Sequence, residues 1–79
     1  MTWIAHNTKI NKNVLIGQSV KIAGSVQIDK DAIIWSGACI KDGISIGKSS
    51  VVGMGSVIVK DIPDSKVFVG NPARLLREI

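Results

Sequence analysis

Every sixth residue from Ile4 onward is Ile or Val, and this period constrains the chain more than any other feature. The series runs Ile4, Ile10, Ile16, Ile22, Ile28, Ile34, Ile40, Ile46, Val52 and Ile58. Two residues before the later members stand Val14, Val20, Val26, Ala32, Ala38, Ile44, Ser50 and Ser56. An amphipathic helix repeats at three and four residues, so a period of six excludes one. Ile and Val are also stiff at χ1 and favour extended backbone.

Six residues suffice for one short strand and one corner. Three such units close a triangular coil, and successive coils stack at the strand spacing of about 4.8 Å. The aliphatic residue of each unit points inward, and a small residue beside it, as in Ile16-Gly17, Ile46-Gly47 and Val52-Gly53, serves the corner. Residues one coil apart then form inner columns: Ile4, Ile22, Ile40 and Ile58; Ile10, Ile28 and Ile46; Ile16, Ile34 and Val52. The expected fold is all-β, a left-handed parallel β-helix of hexapeptide repeats with about three coils over residues 1–59. Residues 60–79 complete the same domain. Lys60-Asp61-Ile62-Pro63-Asp64 reads as a turn that ends the pattern, Val67-Phe68-Val69 as a last strand, and Ala73 to Ile79 as a short capping helix with Pro72 in its first turn.

Aliphatic ladders explain why 46% of the residues are hydrophobic while only Trp3, Trp35 and Phe68 are aromatic. A single cysteine, Cys39, allows no intrachain disulfide and fits a reducing compartment. No apolar stretch is long enough for a membrane span and no leader pattern is visible, so a soluble, cytoplasmic protein is expected. The net charge of +4 comes from lysines spread about one per repeat, without runs or interleaved aromatics. That distribution argues against nucleic acid and suits a solvated face with a mild attraction for an anionic partner. A thin core whose repeat is already running at Ile4, with no cap ahead of it, points to oligomerisation.

The ladder followed by Gly53-Met54-Gly55-Ser56-Val57-Ile58, Lys60-Asp61-Ile62-Pro63-Asp64 and Gly70-Asn71-Pro72-Ala73-Arg74 resembles the C-terminal half of bacterial hexapeptide-repeat acyltransferases. Ile4-Ala5-His6-Asn7 with Ile22-Ala23-Gly24-Ser25 is similar to UDP-3-O-acylglucosamine N-acyltransferase, an enzyme of lipid A. The sugar acetyltransferases of surface-polysaccharide clusters come next, and they carry an acidic residue where this chain has Asn7.

The resemblance implies a homotrimer with sites in the clefts between neighbouring prisms. It implies a thioester donor, acyl-CoA or acyl carrier protein, as co-substrate, with no tightly bound cofactor, and a sugar or nucleotide-sugar acceptor. His6 would be the general base for the acceptor amine or hydroxyl, a task suited to imidazole. The backbone N–H of Gly24, one coil above, would be the oxyanion donor. Asn7 and Trp35 are the candidate substrate contacts. Trp35 departs from the family pattern, lying between Gly17 and Gly53 in its column, and would line the intersubunit cleft or the trimer contact, or simply cover bare backbone. Asn71 and Arg74 are candidates for the nucleotide part of coenzyme A. One histidine cannot build the three-histidine zinc site found on the same scaffold, so no metal is expected. The rival reading is a non-catalytic trimeric β-helix module that keeps the scaffold without the acceptor site.

Overall fold

The structure is a computed structural model and describes residues 2–79. Among these, ten two-residue strands come first: β1 (Trp3–Ile4), β2 (Lys9–Ile10), β3 (Leu15–Ile16), β4 (Lys21–Ile22), β5 (Gln27–Ile28), β6 (Ile33–Ile34), β7 (Cys39–Ile40), β8 (Ser45–Ile46), β9 (Val51–Val52) and β10 (Val57–Ile58). Two longer strands follow, β11 (Lys66–Gly70) and β12 (Ala73–Glu78). They form three sheets, the faces of a parallel β-helix: β1-β4-β7-β10, β2-β5-β8, and β3-β6-β9-β11-β12. The register is the eighteen-residue one, with Ile4 opposite Ile22, Ile10 opposite Ile28 and Ile16 opposite Ile34.

The corners show what the period encodes. Asn7, Asn13, Ser19, Ser25, Asp31, Gly37, Gly43, Ser49 and Gly55 all have positive φ, six residues apart, each three after an inner aliphatic. Asn and Asp tolerate this left-handed backbone better than other side-chain-bearing residues, and Gly adopts it freely. The corner residue is therefore this one, and not the glycine directly after the aliphatic. Those glycines meet a different demand. A Cβ on Gly17 would stand 2.7 Å from the Ser36 nitrogen, and one on Gly47 2.5 Å from the Asp64 nitrogen. They permit close approach of the next coil.

The helix makes about four turns where three were expected. The ladder does not stop at Ile58. Ile62 is buried and bridges Ile46, and Phe68 pairs with Val52, each sixteen residues on. The corner after β10 is two residues short, which shifts the phase of the repeat without ending it. The segment read as a turn, residues 60–64, thus supplies an inner residue of the fourth coil. Ser50 and Ser56, at inward positions, serve this closing coil: Ser50 Oγ accepts from the Lys66 N–H at 3.2 Å and Ser56 Oγ from the Gly70 N–H at 3.1 Å.

The capping helix expected over Ala73 to Ile79 is not formed; the segment is β12, antiparallel to β11. Seven residues of helix would leave most of their terminal backbone groups unpaired. The free edge of β11 offers partners instead, and Gly70, at φ 107, lets the chain turn back along it. The opposite end is open: Ile4 is 44% exposed, whereas Ile22, Ile28 and Ile34 are fully buried. No helix of the described residues is long and apolar enough to cross a membrane.

Candidate functional site

His6 and Gly24 occupy equivalent corners between the first and second faces, one coil apart. The Ser25 N–H donates to the His6 carbonyl oxygen at 3.1 Å, fixing one corner on the other. Gly24 does not have the left-handed φ of Gly37, Gly43 and Gly55. A Cβ there would meet only the His6 carbonyl oxygen, at 3.3 Å. Backbone geometry alone therefore makes a weaker demand for glycine at 24 than at 17 or 47. Its carbonyl accepts from the Gly43 N–H at 3.0 Å, while its own N–H has no backbone acceptor among the described residues. His6 is exposed on the same edge.

The other candidates fall in three places. Asn7 is exposed beside His6, and its positive φ of 62° gives it a backbone role at the corner. Trp35 follows β6 on the third face, across the prism from His6, so one chain does not bring the two together. Asn71 lies in the turn between β11 and β12. Arg74, on β12, lines a groove of about 400 Å³ with Val59, Lys60, Pro72 and Ala73.

Lys60, expected only as part of a turn, joins the candidate site residues, and the sequence carries the signal for it. His6, Gly24, Asp42 and Lys60 are eighteen residues apart, and each lies two after an inner Ile of the first sheet. One edge of the prism thus runs from the histidine, past the glycine N–H and the exposed Asp42 carboxylate, to Lys60, which shares a groove with Arg74.

A second groove, also about 400 Å³, lies on the second face between Lys9, Gln27, Asp29 and Ser45 and the overhanging Asp61–Asp64 segment. The backbone N–H of Lys30, and then the Asn11 amide at 3.2 Å, hold the Asp29 carboxyl below the usual carboxylate range. Asp61 accepts from the Ser45 N–H at 2.9 Å and Asp64 from the Lys48 N–H at 2.8 Å. These aspartates tie coil to coil.

Residues 7–42 match the family described as bacterial transferase hexapeptide (six repeats). No curated protein matches the chain in sequence. Among solved structures, perosamine N-acetyltransferase from Caulobacter crescentus, in complex with CoA and GDP-perosamine, is similar at 27% identity and a TM-score of 0.90, over 98% of this chain and 42% of that one. Serine acetyltransferase from Brucella abortus strain S19 gives 28% and 0.90, over 95% and 34%. A galactoside acetyltransferase in complex with coenzyme A gives 32% and 0.86, over 91% and 45%. The chain therefore spans less than half the length of these three structures. Across residues 7–42 it carries the hexapeptide repeat of bacterial transferases, on a fold shared with perosamine, serine and galactoside acetyltransferases.

Proposed function

We propose that this chain is the β-helical part of an acyltransferase that moves an acyl group from a thioester of coenzyme A to the amine or hydroxyl of a sugar. The observation that carries this is the single edge along which His6, the free Gly24 N–H and the Lys60–Arg74 groove are aligned. Two structural relatives named above hold CoA, which supports coenzyme A over acyl carrier protein as donor. The likeness of Ile4-Ala5-His6-Asn7 to the lipid A enzyme, and a relative holding GDP-perosamine, support an amino sugar or its nucleotide derivative as acceptor.

In this reading the imidazole of His6 takes a proton from the acceptor amine or hydroxyl as its nitrogen or oxygen attacks the thioester carbon. The carbonyl oxygen becomes an oxyanion, held by the Gly24 N–H. Collapse breaks the carbon–sulfur bond, and the departing thiolate takes the proton back from the imidazolium. The edge spans three coil spacings from His6 to Lys60, about 14 Å, which separates the thioester from the phosphates at Lys60 and Arg74. The active form is a homotrimer with the site between neighbouring prisms.

Arg74 offers a planar fork of donors to a phosphate. Arg74→Ala is expected to weaken coenzyme A binding by about 1.5–3 kcal/mol, the range for a hydrogen bond to a charged group. Calorimetry at low and high salt checks it, since screening should shrink the difference. Equal affinity of both proteins at low salt would remove Arg74 from the donor site. Absence of binding by both would favour the non-catalytic module.

A further inference from the structure

We infer that Trp35 completes the His6–Gly24 site of a second copy of this chain, forming the wall against which the acyl and pantetheine part of the thioester packs. This rests on the trimeric transferase proposed above and adds which face turns inward and which residue crosses over.

A closed ring of three about an axis parallel to the prism must join two edges that border the same face; opposite surfaces would build a filament. If the His6 edge is one contact, the inward face is the first or the second. The second face carries Lys9, Asp29 and Asp61 in its outward columns, and a threefold axis would gather three copies of each. The first face carries Trp3, Cys39, Val57, Ala5, Ala23 and Val59, with Lys21 and Lys41 as its charges. The axis would gather Lys21 and Lys41 in the same way, but the first face has two charges to the second's three and carries Trp3. Interface centres are depleted in charge and enriched in aromatic residues, which favours the first face. The edge that meets His6 is then the one between the third and first faces, where Trp35-Ser36-Gly37 turns the chain.

Trp35 is 50% exposed, and above and below it stand Gly53 and Gly17, so the indole is the one side chain between bare backbone in those three coils. Across the contact, Ala5, Ala23 and Gly24 leave a shelf of small residues. Rotation about the axis preserves height. Eleven residues of an eighteen-residue coil raise Trp35 of the partner subunit about 3 Å above Gly24, level with the chain that leads from the thioester to Lys60.

Trp3→Phe leaves Trp35 as the only tryptophan, since the chain has two. In that protein, Trp35 emission is expected to be blue-shifted and shielded from iodide in the trimer, and to change on titration with acetyl-CoA. Trp35→Ala should weaken acetyl-CoA binding about three- to tenfold, the scale of an aromatic contact. The tryptophan-intact measurement stands even if that variant dissociates. A trimer that binds acetyl-CoA calorimetrically while Trp35 emission stays unchanged would overturn the inference and leave the transferase reading in place. A monomer by light scattering, or a trimer that binds no acetyl-CoA, would overturn both.

Discussion

His6→Ala should leave the β-helix folded and lower acyl transfer by about a hundredfold or more, the usual contribution of a positioned acid–base group. The fold is indifferent to the change because His6 is an exposed corner residue whose backbone carbonyl, not its ring, accepts the bond from Ser25. The substitution preserves that carbonyl and the left-handed conformation that Asn7 supplies next to it. Circular dichroism and the denaturation midpoint should match the parent protein while turnover collapses. Full activity in the variant would remove His6 from the mechanism.

Ile28→Ala should be the most damaging kind of single change to the fold, at about 2–5 kcal/mol. Ile28 is 1% exposed and pairs with Ile10 below and Ile46 above, so the space left by its side chain lies inside the stacked ladder. The same change at Ile4, 44% exposed on the open coil, should cost about 1 kcal/mol or less in the isolated chain. Urea midpoints at constant slope measure both. Equal losses at the two positions would mean that the first coil is covered as thoroughly as the second.

The inner ladder was legible because its register is arithmetic: eighteen residues return the chain to the same face, and Ile4 to Ile58 obey this throughout. The fourth coil escaped because the corner after Ile58 is two residues short, and counting by six then lands on Asp64 instead of on Ile62. Phe68 falls six residues after Ile62, so the repeat resumes once the shorter corner is allowed. The tail was misread for a different reason. Ala73 to Ile79, Ala-Arg-Leu-Leu-Arg-Glu-Ile, is built almost wholly of strong helix formers, and the unpaired edge on β11 overrides that local preference in favour of a strand. At the site, the stacking of His6 and Gly24 was legible from the same arithmetic. The groove shared by Lys60 and Arg74 was not, because it depends on where the hairpin folds back.

Release of free thiol from acetyl-CoA, followed with a panel of amino sugars and their nucleotide derivatives, tests the acyl-transfer function most directly. Acceptor-dependent release that His6→Ala abolishes is the expected result. No release above the spontaneous rate with any acceptor, from a trimer that binds acetyl-CoA, would contradict catalysis by this chain and identify it as a binding scaffold.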